Sequence, residues 1–167
     1  SGSAFSRSIV PALTLRSIGS PNWMINQDLC GGCRAVSAKI TGLPIARGGD
    51  IDNTRCALIV GRNAQIADPV EWAKLKSAKK RGARMIVIDP KRTTAAELAD
   101  IWMSPRVGTD AAVALAMMHV LISEDLYDRQ FVQERCHGFD ALAERATQFS
   151  PAAAENMTGV PAEQIVN

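Results

Sequence analysis

The chain has 167 residues, 47% of them hydrophobic, which is enough for one folded domain with a real core. Nineteen basic residues against seventeen acidic ones leave a net charge of +2, and only four Phe, three Trp and one Tyr could stack on bases. This balance does not indicate a nucleic-acid-binding protein. Four cysteines are too few for a disulfide scaffold and favour a reducing compartment.

The start of the chain has no recognisable signal peptide, and its first residues predict a Gly/Ser-rich loop. The residues from Pro161 onward resemble the start of another helix. Both ends therefore look cut, and we expect a fragment of a larger multidomain protein. Its first part, residues 1–50, is predicted as a separate segment.

That first segment contains a C-x-x-C pair, Cys30 and Cys33, with Asn26 four residues before Cys30. The pair is compatible with a redox couple, with half of a zinc or iron–sulfur site, with one metal-binding thiolate, or with structural cysteines. The sequence has no second C-x-x-C to complete a four-cysteine site. Cys33 also begins a predicted helix, where it is expected to be a small packed residue.

Residues 51–167 are predicted as one α/β unit. Apolar runs at residues 54–61, 83–90 and 101–105 predict buried strands, and helices are predicted between them over 68–82 and 93–100. Short connections between such elements predict a parallel sheet with right-handed crossovers, flanked by helices.

Four more helices are predicted after the third strand, over residues 109–125, 126–136, 138–148 and 150–159. The first contains the longest apolar run, residues 111–122, which is too short for a membrane span and predicts a core helix. His119 lies within that run and is expected to be a hydrogen-bonded core histidine. Ser150 and Gly159 are the expected N-cap and terminator of the last of these helices.

Ligands of parallel sheets lie at the carboxyl ends of the strands, which here are followed by "GRNAQ", "DPKRT" and "PRVGTD". Gly61 allows close backbone approach, and the Asn63 amide can both donate and accept. Asp89 could accept from ribose hydroxyls, with Arg92 and Thr93 beside it for a phosphate. A carboxylate at Asp110 suits the N1–H and N2–H₂ edge of a guanine.

Each of these residues also has a purely structural interpretation. Asp89 and Pro90 can form a turn, Thr109 can cap a helix, and Asp110 can complement a helix dipole. The first loop lacks the G-x-G-x-x-G fingerprint, so a standard NAD or FAD pyrophosphate site is not indicated. Because the three loops follow successive parallel strands, a ligand shared by all three loops is favoured.

These motifs together resemble the nucleotide-binding region of the molybdopterin oxidoreductases (dimethyl sulfoxide reductase family). The similar pattern is a strand followed by G-x-N, then G-A-x-x-I-V-I-D-P-x-x-T, then A-D, and G-T-D opening a helix. The resemblance extends from about Gly19 to the end. Val107 and Ala64 stand where the family often has Pro. The resemblance implies a Rossmann-like sheet in a larger catalytic subunit.

The resemblance further implies a bis(molybdopterin guanine dinucleotide) cofactor carrying Mo or W. Cys30 would be the metal ligand and Asn26 would lie near the pterin. The loops would hold one guanosine diphosphate arm through Gly61, Arg62, Asn63, Ala64, Gln65, Asp89, Pro90, Lys91, Arg92, Thr93, Gly108, Thr109 and Asp110.

The implied partners are the remainder of the catalytic subunit, including an iron–sulfur domain with a 4Fe-4S cluster, and electron-transfer subunits. No nucleic acid and no membrane insertion by this chain are expected. The cytoplasm is favoured over the periplasm. The alternative is a non-catalytic scaffold of the same fold, as in the large iron–sulfur subunit of respiratory complex I, which resembles this family without holding the pterin.

Overall fold

The computed structural model describes residues 2–21, 32–42 and 49–167, with side chains from residue 10 onward. The chain divides into two compact units, Ser1–Gly49 and Asp50–Asn167. Asn26 and Cys30 lie outside the described residues, so the proposed metal ligand and its neighbour stay predictions.

The described part of the first unit contains two helices. Helix α1 spans Gly2–Ser17 and includes Pro11, so the prediction of an opening Gly/Ser loop was wrong. Helix α2 spans Cys33–Thr41 and ends at Gly42, whose φ of 71° is left-handed. The helix beginning at Cys33 is confirmed, but the Cys33 side chain is exposed. It was expected to be packed, and α2 has no buried residue for it to pack with.

The second unit contains a three-stranded parallel sheet, as predicted, and its strand order is β1-β2-β3. The strands are β1 (Cys56–Val60), β2 (Arg84–Ile88) and β3 (Ile101–Met103). The register pairs Leu58 with Ile86, and Val60 with Ile88. Because all three strands run in the same direction, the loops that follow them leave from the same end of the sheet, where the strands have their carboxyl ends.

The first face of the sheet is covered by α3 (Ala64–Ala67), α4 (Pro69–Lys80) and α5 (Thr94–Leu98). Helix α4 begins where predicted because the Asp68 side chain accepts a 3.0 Å bond from Glu71 N and Pro69 occupies its first turn. Trp72 and Leu75 from α4 pack on Met85 and Val87 of β2 in one buried cluster.

The second face is covered by α6 (Asp110–Ser123), α9 (Pro151–Thr158) and α10 (Ala162–Val166). Its core joins Ile88 and Met103 of the sheet to Val113, Ala154 and Ile165 of these helices. Between them in sequence lie α7 (Arg129–Arg135) and α8 (Phe139–Thr147).

Two details of the second face agree with the sequence predictions. The Nδ1 atom of His119 lies 3.0 Å from the Ala146 carbonyl, which joins α6 to α8. Ser150 caps α9 by accepting from Ala153 N, and Gly159 ends the helix in a left-handed conformation. None of the helices in the described residues is long and apolar enough to span a lipid bilayer.

Strand β1 differs from its prediction as a buried strand. Leu58 is 52% exposed and Val60 is 49% exposed, and the Cys56 thiol is also exposed. The apolar composition was interpreted correctly as a strand, but β1 lies at the edge of the sheet, beyond the helices that cover the second face of β2 and β3. The prediction of burial was therefore wrong for β1.

Asp100 precedes β3, the other outer strand of the sheet, and bonds to β2. Its Oδ2 accepts a 2.7 Å bond from Met85 N and is paired with Lys79, and Asp100 N donates 2.8 Å to Met85 O. The bond and ion pair with Lys79, and then the Met85 N–H, lower the pKa of the Asp100 carboxyl below its usual value.

A lowered pKa in the folded state means that Asp100 stabilises the fold above the carboxyl pKa of the unfolded chain, which is about 4. That contribution is lost as the pH falls through the lower pKa of the folded state. We expect Asp100→Asn to lose less stability than wild type between pH 7 and pH 3, measured by denaturant unfolding. Asp100→Ala, which also removes the acceptor for Met85 N, should lose about 1 kcal/mol more than Asp100→Asn at pH 7. Equal pH dependence in wild type and Asp100→Asn would contradict the assignment.

Candidate functional site

The loop after β1 combines an open glycine with an unsatisfied amide. Gly61 has a φ of 56°, and an added Cβ there would meet no atom within 4 Å. Asn63 precedes α3, but its side chain makes no cap bond. Its Oδ1 is buried and has no hydrogen-bond partner among the described residues. Because an unpaired buried acceptor costs about 1–3 kcal/mol, this oxygen is suited to a ligand that brings a donor.

The other members of this loop are held by the protein itself. Arg62 Nη2 donates 2.8 Å to Glu71 Oε2, and its Nε lies 2.8 Å from Oε1 without a well-aligned bond. Ala64 is fully buried in the first core cluster, so it packs in the core and does not offer an accessible group to a ligand. The Gln65 side chain accepts from Thr94 Oγ1 of α5. This bond fastens the loop after β1 to the helix after β2.

The loop after β2 is a turn, as the structural interpretation of Asp89 required. Asp89 is 8% exposed and its Oδ1 accepts 2.8 Å from Lys91 N. The turn continues through Pro90 into Thr93, which is buried and caps α5 by accepting from Ala96 N. The second oxygen of the Asp89 carboxylate and the Thr93 hydroxyl proton can still serve a ligand.

Two cations project from this turn into solvent. Lys91 and Arg92 are both exposed, and the Arg92 guanidinium lies 5.7 Å from the centre of the Trp102 ring. Trp102 in turn donates 2.9 Å from Nε1 to the Asp89 carbonyl. The arrangement restrains Arg92 beside the turn and leaves its guanidinium donors available for an anion.

The loop after β3 carries the third set of predicted residues. Gly108 has a φ of 87° with no atom within 4 Å of an added Cβ. The Thr109 hydroxyl donates 2.6 Å to the Arg106 carbonyl and does not cap α6 as the structural interpretation expected. Asp110, in the first turn of α6, is exposed, and its carboxylate forms no hydrogen bond or ion pair with the described part of the chain.

Sequence reasoning missed the residues that fix the loop after β3. Arg106 Nη1 donates 2.9 Å to the Asn156 carbonyl at the end of α9, and Arg106 N donates 2.8 Å to Thr158 O. Thr158 itself is fully buried and its hydroxyl accepts 3.1 Å from Val160 N. The partners lie about 50 residues apart in the sequence, so no local pattern could reveal them.

The three loops are joined to one another at the carboxyl end of the sheet. Asp89 N donates 3.1 Å to Met103 O, and Ser104 Oγ donates 3.2 Å to Pro90 O, which connects the second loop to the third. The Gln65 contact connects the first to the second. This end of the sheet therefore presents two glycines with open space at their Cα atoms and two exposed cations. Within the residues that the structure describes, it also has an amide oxygen, Asn63 Oδ1, and a carboxylate, Asp110, without a hydrogen-bond partner. No group of His, Cys, Asp and Glu among the described residues is arranged to hold a metal ion.

Comparison with known proteins gives a consistent family match. The family model described as molybdopterin oxidoreductase matches residues 9–158. Acetylene hydratase from Syntrophotalea acetylenica is 40% identical over 149 residues, covering 89% of this chain. The thiosulfate reductase molybdopterin-containing subunit of Salmonella typhimurium is 37% identical over 155 residues, covering 90% of this chain.

A solved structure is similar as well. Acetylene hydratase from Pelobacter acetylenicus superposes with a TM-score of 0.79 at 39% identity, over 89% of this chain. The matched region is 20% of that solved chain, and the present chain likewise spans 20% of the length of each of the two curated relatives.

Proposed function

Because the chain belongs to the molybdopterin oxidoreductase family, whose members bind a molybdenum or tungsten cofactor, we propose that residues 1–167 are part of a larger catalytic subunit. In this proposal the three loops at the carboxyl end of the sheet hold a guanosine diphosphate arm of a bis(molybdopterin guanine dinucleotide) cofactor. The observation that carries it is the buried Asn63 Oδ1, which has no hydrogen-bond partner among the described residues, in the same loop as Gly61, where the space around the Cα atom is open.

The available groups in these three loops match the phosphates, the guanine and the ribose of such an arm. Lys91 and Arg92 supply cationic donors for phosphate, and the main chain at Gly61 and Gly108 can approach a ligand closely. The free carboxylate of Asp110 can accept two parallel bonds from a guanine edge. For the ribose, Asp89 keeps one carboxylate oxygen as an acceptor and Thr93 keeps its hydroxyl proton as a donor. Arg62 and Gln65 act through the ion pair with Glu71 and the bond to Thr94, which hold the loop in place.

At the metal end, we propose that the Cys30 thiolate is the protein ligand and that Asn26 lies beside the pterin. A soft thiolate suits a metal already bound by sulfur ligands, and a nearby cation favours its deprotonated form. When bound, the metal cofactor supplies electron transfer coupled to gain or loss of an oxygen atom or hydride equivalent by the substrate. The residues of this chain bind and orient it.

The substrate is left open in this proposal. The relatives' names carry different substrates, since they include acetylene hydratase, thiosulfate reductase and formate dehydrogenase H of Escherichia coli. The partners proposed are the remaining domains of the catalytic subunit, an iron–sulfur domain with a 4Fe-4S cluster, and electron-transfer subunits. The cytoplasm is the proposed compartment.

Metal and nucleotide analysis tests the proposal directly. The full-length polypeptide should be purified from a host that makes the pterin cofactor, then assayed for Mo and W and hydrolysed in acid. We expect one of the two metals together with released GMP. Finding neither would overturn the catalytic proposal in favour of a non-catalytic scaffold with the same fold.

Asn63→Ala is expected to separate cofactor binding from folding. The variant removes a buried acceptor that has no partner in the described part of the chain, and it loses no cap bond, so the unfolding free energy of the cofactor-free protein should stay the same or rise by about 1 kcal/mol. The cofactor content, measured as GMP released per polypeptide, should fall by roughly 10-fold when cofactor is limiting.

The neighbouring cap residue provides the matched control. Asp68→Ala removes the cap of α4 and should lower the unfolding free energy by about 1 kcal/mol with unchanged GMP content. If Asn63→Ala instead destabilises the protein and leaves the GMP content unchanged, the Asn63 amide is a structural group and not a ligand contact.

A further inference from the structure

The exposed cation Arg92 is held differently from Arg62, the arginine of the loop after β1. Arg62 is paired with the Glu71 carboxylate. Within the described part of the chain, the Arg92 guanidinium forms neither an ion pair nor a hydrogen bond, and it lies over the Trp102 ring, 5.7 Å from the ring centre. An aromatic face attracts a cation without neutralising its charge or occupying its N–H donors. Arg92 is therefore held in place while its donors stay available to an anion.

Trp102 offers this cation a fixed surface. It lies in β3 opposite Val87 of β2, and its half-buried side chain packs against the core cluster of the first face. Its Nε1 donates 2.9 Å to the Asp89 carbonyl. Strand pairing, packing and a hydrogen bond together leave the indole little freedom, so the position of the ring is set by the core of the domain.

The main chain on both sides of Arg92 is fixed as well. Asp89 N donates 3.1 Å to Met103 O, and the Asp89 carbonyl accepts the bond from Trp102. Thr93, which follows Arg92, is buried and caps α5. Both the turn that carries Arg92 and the end of its side chain are thus positioned relative to the same strand, β3.

The neighbouring cation Lys91 has no such support. Its side chain is exposed, and no aromatic ring of the described residues lies against it. A long side chain loses rotamer freedom when it binds an anion, and one that is already held loses less. The contribution of Arg92 to anion binding should therefore depend on Trp102, and the contribution of Lys91 should not.

We propose that Trp102 is a positioning residue for phosphate binding, because it holds the Arg92 guanidinium beside the second loop before the diphosphate of the guanosine arm arrives. The inference deepens the proposed function and rests on it, since it requires that this loop faces the phosphates. Trp102 itself touches no part of the ligand in this proposal and acts through Arg92.

Nucleotide affinity of the full-length polypeptide, purified without cofactor, tests this role. The probes are GDP and guanosine, measured by titration calorimetry, because the two differ only in the diphosphate. Trp102→Leu should weaken GDP binding by about 3- to 10-fold. The affinity for guanosine should stay within about 2-fold of wild type, since the nucleoside makes no contact with Arg92. Trp102→Phe, which keeps a ring under the cation, should keep the GDP affinity within about 2-fold of wild type.

The two adjacent cations provide matched backgrounds. In Arg92→Gln, the further change Trp102→Leu should leave GDP affinity nearly unchanged, whereas in Lys91→Gln it should have its full effect. Phe149→Leu is a separate control, because it removes the ring that lies 5.2 Å from the Arg145 guanidinium at the end of α8, and it should not alter GDP binding. Denaturant unfolding checks that each variant folds, and Trp102→Met, which fills a similar volume, replaces Trp102→Leu if that variant does not.

Three results would overturn the positioning role. They are equal losses of GDP and guanosine affinity in Trp102→Leu, the same loss of GDP affinity in the Arg92→Gln background, and a wild type that does not prefer GDP to guanosine. The metal and GMP analysis separates these results from failure of the proposed function. Metal and GMP in a protein whose GDP affinity ignores Trp102 refute the positioning role alone. The expected response to Trp102→Leu in a protein that carries neither metal nor GMP refutes the cofactor proposal alone.

Discussion

Replacing Cys30 with alanine in the complete enzyme is expected to abolish turnover while the protein still folds. In the proposed function, the Cys30 thiolate binds the metal directly, and a methyl group offers no electron pair in its place. The measurement is the specific activity with an artificial electron donor or acceptor on a substrate that the wild type converts, together with metal content and a denaturant unfolding curve.

The second cysteine of the motif is the control for this experiment. Cys33 is exposed at the start of α2, so Cys33→Ala should keep turnover within about 2-fold of wild type and change stability by no more than about 0.5 kcal/mol. Full activity in Cys30→Ala would remove Cys30 from the ligand role. Loss of activity in both variants would point instead to a shared role of the pair, such as a redox couple.

The parallel sheet was predictable because its signals are local. Short apolar runs, the Asp68 and Pro69 start of α4 and the Ser150 and Gly159 boundaries of α9 each depend on neighbouring residues, and each appears in the structure. Helix α1 was missed because Gly and Ser at the start and Pro11 within it are usually signs of a loop.

Burial was harder to predict than the elements themselves. The apolar run that forms β1 has the composition of a central strand, but its exposure depends on which elements lie beside it, and that is a property of the whole fold. The same limit applies to Cys33, whose exposure reflects the absence of buried positions on α2.

The candidate site was predictable as a set of loops, and less so as a set of roles. The common direction of the parallel strands alone places the three loops at the same end of the sheet. The sequence could not show that Arg62 is paired with Glu71, that the Thr109 hydroxyl bonds to the Arg106 carbonyl, or that Asn63 Oδ1 has no partner in the described part of the chain. These facts depend on side-chain geometry, which composition and spacing do not determine.

Asp110→Asn is expected to weaken guanine recognition by roughly 10- to 100-fold, the range for loss of a charge-assisted hydrogen-bond pair. An asparagine keeps one acceptor but places an NH₂ donor against a donor on the guanine edge. The test is the affinity of the cofactor-free polypeptide for GMP and for IMP, which lacks the N2 amino group. Wild type should prefer GMP, and the variant should lose that preference.

The variant also removes a negative charge from the first turn of α6, and this must be distinguished from ligand binding. Asp140 is the corresponding first-turn carboxylate of α8, so Asp140→Asn should show a similar loss of stability, about 0.5 kcal/mol, through the helix dipole. It should leave the preference for GMP over IMP unchanged. If Asp110→Asn binds GMP and IMP with the wild-type preference, then Asp110 serves only the helix, and the guanine of the proposed cofactor must be recognised by other residues.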